Sequence, residues 1–574
     1  MARANEAVAA LLQEYADLLS ITGGEAFKAR VYERAARAVG GHPADVGSLD
    51  LKGLQQVPNV GRSIAEKIVE YLAHGRIEAM DRLRAKIPRG VRELTAVPGL
   101  GPKKAMALYA ELNISDVADL EEAIREGRLA GMRGFGAKTA ENLLHGIELS
   151  RSSGGRSLID AAMTVAEEAV ALVSAVPGCQ RCCHAGSLRR MRETIGDIDI
   201  LASAHDPVPL MAAFAQWDRV AEVIARGEKK TSVRIVGGLQ LDLRVVPPES
   251  WGAALQYFTG SKEHNVRIRE IAVRKGLRLS EYGLFIVEDG SLIVSETEEE
   301  VYARLGMAWV PPTLREDRGE VEAALADELP DLVTVADIRG DLHTHTTLTD
   351  GVSTLEEMVA AARSRGLKYY AVTDHAKDMP MQRMTDAKML AQRERLRALA
   401  GQGRMALLHG TELNIDPDGA VDWDADFLAG FDICVASVHS HFNQSPDELT
   451  RRLVRACENP YVNIIGHPTT RQIGRRAPIE PDWDAVFAAA ARTGTALEIN
   501  SHPDRLDLPD ELILRARRHR VTFAIDTDSH ATGHLAHLRY GVGLAQRGWL
   551  TAGEVLTAWP LSKVRAFVRA KRRR

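Results

Sequence analysis

Through the first 150 residues apolar side chains recur every three to four positions among Ala, Glu, Arg and Leu, a period that predicts amphipathic helices. Three related turns break the pattern. They are VPNVGRSIAEKIVEYL from Val57, VPGLGPKKAMALYAEL from Val97 and MRGFGAKTAENLLHGI from Met132, each with a Gly, three residues and an Ala opening a new periodic helix. A tight hairpin ending in Gly61, Gly101 or Gly136, with Gly99 and Gly134 two residues earlier in the later copies, lets bare backbone approach another surface. The helix start behind it offers unpaired N–H groups to phosphate. Three copies argue against incidental turns. Asn59, in place of the earlier Gly in the first copy, weakens that copy but still tolerates a left-handed backbone.

From Arg156 the period shortens toward two. AGSLRRMRETIGDIDILA places Asp197 and Asp199 on one face of a predicted strand and Ile198 and Ile200 on the other. LQLDLRVV alternates Leu239, Leu241 and Leu243 with Gln240, Asp242 and Arg244. After WVPPTLREDRGEVEAALADELPDL, read as a linker with a short helix, seven apolar runs end in polar residues: DLHTH, YYAVTDH, LLHGTEL, ICVASVHSH, NIIGHP, ALEINSH and TFAIDTDSH. Helical stretches separate them. Repeated strand, polar end and helix predict a parallel barrel with its chemistry at the C-terminal strand ends.

Composition narrows the classes. The 574 residues are 45% hydrophobic and 26% charged, which excludes a disordered or fibrous chain and leaves room for several domains. Net charge is −5, so any hold on DNA must come from local geometry. The basic end RAKRRR reads as a solvated tail. Five cysteines give no disulfide framework, and C-x-x-C-C-H at Cys179 lacks a second ligand pair and reads as a half-buried strand. With Glu6, Glu14 and Asp17 near the start and no long apolar run, a soluble cytoplasmic protein is expected. Paired aspartates repel unless cations bridge them, which points to Mg2+ or Mn2+. The preceding Gly186, Ser187, Arg189 and Arg190 suit a triphosphate. His343, His345, Asp350, His375, Glu412, His439, His467, Asp528 and His530 supply ligands for a multinuclear zinc or manganese site.

GSLRR, GDID and Asp242 resemble the nucleotidyltransferase superfamily, and YFTGSKEHNVRIRE from Tyr257 resembles the nucleotide-binding motif of family X DNA polymerases. The upstream repeats resemble helix-hairpin-helix motifs, completing that family's order. The resemblance implies that Asp197 and Asp199 bridge two metals and that Asp242 holds the catalytic one near the primer 3′-hydroxyl. It places Ser187, Arg190, Gly196 and Arg156 on the triphosphate, Tyr257, Phe258 and Gly260 against the sugar, and Asn265 and Arg269 toward base and template. Lys28 matches a 5′-phosphate contact, and Lys67 the place of a Schiff-base lysine in eukaryotic repair members. Glu66 and Glu70 oppose the depressed pKa such a lysine needs, so a phosphate or solvent contact is the plainer reading of Lys67.

The later His, Asp and Glu order resembles the PHP (polymerase and histidinol phosphatase) family, which implies a distorted (β/α)7 barrel and a three-metal centre of Zn2+ and/or Mn2+. By that pattern Glu412 bridges two metals, with His343, His345 and Asp528 on one, His439 and His467 on the second, and Asp350, His375 and His530 on the third. Asp350 stands where many members carry His. His441, Glu498 and His502 support the ligands from behind or fall at the rim, and Arg471, Arg475 and Arg476 form a solvated loop or receive phosphates. A family X polymerase followed by PHP is the arrangement of bacterial and archaeal PolX proteins. It implies a multidomain α/β chain: helix-hairpin-helix regions at 1–90 and 91–155, an α+β palm at 156–247, a thumb at 248–315, a linker at 316–337 and the PHP barrel at 338–574. The expected function is gap-filling repair synthesis with hydrolysis of DNA phosphodiesters by the barrel, 3′–5′ or at abasic sites. The implied partners are gapped or nicked duplex DNA and dNTPs, with no membrane, for a monomer near the nucleoid. The competing reading is a DNA-end scaffold whose barrel is only structural.

Overall fold

The structure, a computed structural model, describes all residues except 1–3, 22–25, 41, 43–44, 85–90, 92–93, 95–99, 101, 130–131, 133–134, 137–138, 141–142, 145–146, 148–155, 380–383, 402 and 574. Helices Asn5–Ile21, Ala26–Gly40, Arg62–His74, Pro102–Leu112 and Val117–Arg125 form the N-terminal region. Val8, Leu12, Tyr32, Ile64, Ile68, Leu108, Leu120 and Phe135 share one core there, so all three hairpin copies hang on a common apolar centre.

The palm is a five-stranded sheet in the order Arg181–His184, Asp197–Ser203, Gln240–Val246, Lys230–Ile235, Val220–Arg226. Only Asp197–Ser203 and Gln240–Val246 run parallel. Ile198, Ile200, Leu241 and Leu243 are buried, as the alternation predicts. Cys182 and Cys183 lie half-buried in the edge strand, and burial pushes their thiols up to about 12 and about 11.

The thumb joins helices Trp251–Thr259 and Lys262–Arg274 to a three-stranded antiparallel sheet. Arg315 is fully buried and donates to Glu298 at 2.7 Å, while Arg189 grips the same carboxylate through both terminal nitrogens. Burial alone would raise the Glu298 carboxyl, but Arg315 and Arg189 hold it at about 2. The helix at Gly186–Arg189 is thereby fixed to the thumb. Residues 316–337 carry a short helix, Glu320–Ala326, and are anchored on both sides: Glu320 is buried and accepts from His264 at 2.6 Å, and Arg318 reaches Asp510 at 3.1 Å. A charged sequence here marks ion pairing across elements rather than solvation.

The barrel is a seven-stranded parallel sheet in sequence order, from Gly340–Asp341 to Phe523–Asp526. It nearly closes through the bridge between Thr344 and Ser529. Ile433–Ser437 is buried at every position, as a strand covered on both faces requires. Palm and barrel share one unbroken apolar core, containing Ile159, Phe214 and Leu243 from the first and Phe487, Leu497 and Phe523 from the second. Fully burying side chains of this size stabilises by about 1.5–3 kcal/mol each.

Two basic segments depart from expectation. Arg471 donates to Glu193 of the palm and to the Arg505 carbonyl at 2.8 Å, and Arg476 donates to the Thr470 carbonyl at 2.6 Å. Neither belongs to a solvated loop. The basic end continues the helix Leu561–Arg572, where Lys571 is buried on the Cys457 carbonyl at 2.7 Å and Arg572 donates to the Phe431 carbonyl. Barrel carbonyls, which composition does not reveal, take these cations out of water.

Candidate metal centres

In the palm, parallel pairing sets Asp199 beside Asp242 and Asp197 beside Gln240, bringing the three aspartates to one end of two neighbouring strands. Burial, then the Asp197 and Asp242 charges, raise Asp199 to about 7. Gly186 has φ +60°, and a Cβ on it would lie 2.3 Å from Asp199 Oδ2, so only glycine allows this approach. Lys230, which sequence reasoning missed, sits 2.6 Å from Asp242. Burial would raise Asp242, but hydrogen bonds from Lys230, Ser232 and Gln240 pull it below its usual value. Three carboxylates crowded at one strand end repel one another unless a cation neutralises them, so the donor set fits divalent metal.

Around this edge, Ser187 lies in the short helix Gly186–Arg189 and Arg190 follows it, donating to Glu316 at 3.1 Å and to the Thr259 carbonyl at 2.6 Å. Gly260 has φ +70°, with Arg190 Nη1 3.0 Å from where its Cβ would stand. Arg156 is bound to Thr194 and lies over Gly196. Tyr257 and Phe258 meet edge to face at 5.0 Å, and the Arg244 guanidinium covers Phe258 at 4.5 Å. Asn265 is buried with both ends of its amide engaged, accepting from Gln256 and donating to the Tyr257 carbonyl at 2.7 Å each. Arg269 donates to the Asn265 carbonyl at 3.0 Å.

The barrel's strand ends bring all nine singled-out residues together. Glu412 is central: His375 lies 2.9 Å, His439 and His467 3.0 Å, His343 3.4 Å and His345 3.5 Å from its oxygens. Three groups of converging donor atoms result: His343, His345 and Asp528; His345, Asp350, His375 and His530; and His375, Glu412 and His439. The first holds three of the residues expected on one metal, without the bridging Glu412. In the second His345 joins the three expected residues, and in the third His375 stands where His467 was expected; His467 touches Glu412 from outside that group. The donor atoms fit metal. His343 Nε2, both nitrogens of His345, Asp350 Oδ1, His375 Nδ1 and His467 Nδ1 are buried without hydrogen-bond partners.

Supporting residues are less legible in sequence. Glu498 holds His343 Nδ1 at 2.6 Å, and Asn414 holds His439 Nδ1 at 2.7 Å, contacts that aim the other ring nitrogen inward. His502 pairs with Asp504 at 2.6 Å, beside the cluster, and His441 is exposed. Arg505, not singled out, has its Nε 3.8 Å from Asp528 and a buried Nη1 without a partner. Its position in SHPDRLD, after a strand end, was the available signal.

In the N-terminal region Gly61 caps helix Arg62–His74 without a side-chain hydrogen bond, and open space surrounds it and Gly136. Asn59 takes φ +63°. Gly99, Gly101 and Gly134 lie outside the described residues. Lys28 is exposed; Lys67 is partly exposed and donates to the Ser63 carbonyl and hydroxyl at 3.2 Å.

Family models match in four places: a helix-hairpin-helix domain at residues 3–77, a SAM-like helix-hairpin-helix tandem at 91–148, the DNA polymerase beta thumb at 254–316 and the PHP domain at 341–502. The chain is 35% identical over 563 residues to the DNA polymerase/3′-5′ exonuclease PolX of Bacillus subtilis (strain 168), covering 97% of this chain and 98% of that one. It is also 27% identical over 322 residues to DNA polymerase lambda of Rattus norvegicus, covering 51% of this chain and 53% of the relative.

Proposed function

The chain belongs to the PolX family of DNA polymerases, and from that premise we propose that it is a repair polymerase that fills gaps by template-directed nucleotidyl transfer and hydrolyses DNA phosphodiesters in its PHP barrel. What carries the reading is the coexistence, in a chain alike over its whole length to such an enzyme, of two separate acidic centres suited to divalent cations. A barrel retained only as scaffold would have no use for buried imidazole nitrogens left without hydrogen-bond partners.

Divalent cations held by these residues supply charge neutralisation to phosphoryl transfer in the palm and to hydrolysis in the barrel. Asp197, Asp199 and Asp242 gather at the strand end where the primer hydroxyl must meet the α-phosphate. Ser187 and Arg190, with Arg156 and Gly196, orient the triphosphate, and Tyr257 and Phe258 back the sugar against Gly260. Asn265 and Arg269 stand behind Tyr257, toward base and template. In the barrel, Glu498 and Asn414 lock the imidazoles of His343 and His439, and the free nitrogen of Arg505 faces the phosphate to be cut. Mg2+ or Mn2+ in the palm, and Zn2+ and/or Mn2+ at three positions in the barrel, suit these donors. DNA is held as gapped or nicked duplex through the hairpin glycines, with Lys28 at its 5′-phosphate and dNTPs as co-substrates. Action as a monomer in the cytoplasm, near the nucleoid, completes the proposal; among the described residues no helix is long and apolar enough to cross a membrane. The division at 1–90, 91–155, 156–247, 248–315, 316–337 and 338–574 is retained, with 316–337 packed between thumb and barrel.

The test is purified protein with labelled gapped, recessed and abasic duplexes, with Mg2+ and with Mn2+. Extension stopping at the gap's end, together with shortening of the 3′ strand when dNTPs are withheld, is expected. Binding without either reaction would favour the scaffold.

A pH dependence follows from Asp199. Its carboxyl is raised to about 7 and must lose its proton to take a cation, so protons compete with metal below that pH. The Mg2+ concentration for half-maximal incorporation should rise up to about tenfold per pH unit below 7 and stay flat from 8 to 9. A requirement independent of pH over 6–8 would mean that Asp199 is already ionised in the working enzyme.

Lys67 is partly exposed on its helix with Ser63 as partner, whereas a Schiff-base lysine is activated by burial or neighbouring cations. Borohydride trapping on a 5′-incised abasic duplex is expected to give no adduct that Lys67→Ala removes. An adduct lost in that variant would establish lyase chemistry.

A further inference from the structure

The barrel helix Leu538–Arg547 meets the palm at the turn that carries Arg190. Arg547 is buried, with 3% of its side chain exposed. Its Nη1 donates to Glu316 at 2.7 Å and to the main-chain oxygen of Arg190 at 2.9 Å, while Nη2 donates to Asp510 at 2.6 Å. The same Oε1 of Glu316 accepts from Arg190 Nε at 3.1 Å. A second contact fixes the same turn: Met191 has φ +56°, and its side chain lies so close to Gly543 that a Cβ there would come within 2.6 Å of the Met191 methyl.

We propose that Arg547 is a positioning residue for nucleotide binding, through which the PHP barrel supports the triphosphate site of the palm. The proposal rests on the reading of Arg190 as a triphosphate contact. Two features of the geometry give it a mechanism. Glu316 is a half-buried carboxylate, 13% exposed, next to the place a triphosphate would occupy, and alone it would both repel the nucleotide and draw the Arg190 guanidinium onto itself. Arg547 shares that carboxylate, offsetting its charge and leaving Arg190 with a single bond to it. By also holding the Arg190 carbonyl, Arg547 fixes the main chain from which the guanidinium extends. Asp510, itself bound to Arg318, keeps Arg547 in place. No substrate atom need touch Arg547.

The experiment is single-turnover insertion at a one-nucleotide gap by the full chain, separating the apparent dNTP Kd from the maximal rate. Arg547→Gln is expected to raise the dNTP Kd roughly tenfold, the scale of one charge-assisted hydrogen bond, with the maximal rate, gapped-DNA affinity and barrel hydrolysis of single-stranded DNA within about twofold. Arg547→Lys, which keeps a cation beside Glu316, should recover part of the loss, and it carries the test if the Gln variant does not fold. An unchanged dNTP Kd in these variants overturns the proposal, as does a loss of hydrolysis and insertion in parallel, which would mean that Arg547 only joins the two halves. Arg190→Ala separates the two levels. If it leaves the dNTP Kd unchanged, the reading of Arg190 fails; if it raises the Kd while Arg547→Gln does not, only the present proposal fails.

Discussion

Asp199→Ala is expected to abolish nucleotide incorporation, with a loss of at least about 10²–10³-fold, the scale of removing one preorganised electrostatic group from a transition state. Asp199 is flanked in register by Asp242 and in sequence by Asp197, and burial together with their charges raises its carboxyl to about 7. Alanine leaves Asp197 exposed and Asp242 tied to Lys230, a pair that cannot gather two cations. Affinity for gapped duplex should change little, because the hairpin contacts lie elsewhere. Incorporation persisting in a clean preparation, measured by primer extension in Mg2+ and Mn2+, would refute the palm assignment.

The second large effect is in the barrel. Replacing His343 and His345 together with alanine is expected to remove hydrolysis and bound metal while gap filling persists. These two imidazoles face both Glu412 and Asp528, and His345 belongs to two of the three donor groups, so their loss breaks those two groups at once and strips neighbours from the Glu412 that serves the third. The palm's donors come from other strands of a different sheet. Metal content by elemental analysis and 3′ shortening of labelled single strands give the two readouts. Loss of extension in a folded double variant would show that the centres are not independent.

The carboxylates and imidazoles are legible in sequence because period-two strands place them by arithmetic: Asp197 and Asp199 must share a face, and seven apolar runs ending in polar residues must align those ends. The barrel and the hairpin region are legible for the same reason, since a repeated unit reports its period. What remains hidden acts across the chain. Lys230 reaches Asp242 by strand register, Glu498 orients His343 from 155 positions away, and Arg547 meets Glu316 across 231. No local pattern encodes such a partner. Charge runs mislead most: the basic end looks solvated, yet Lys571 is buried on the Cys457 carbonyl, and the charges of 316–337 do not reveal that Glu320 is buried against His264.

The unbroken core between palm and barrel bears on how the protein is made. Ile159, Phe214 and Leu243 leave the ribosome well before Phe487, Leu497 and Phe523, which complete the same core. At about 5–20 residues per second, the nascent palm waits on the order of tens of seconds with apolar surface uncovered. During that interval the growing chain is a client for holding chaperones. A chain truncated between the two halves is expected to leave this apolar surface uncovered, read as self-association or binding of a hydrophobic dye by the fragment.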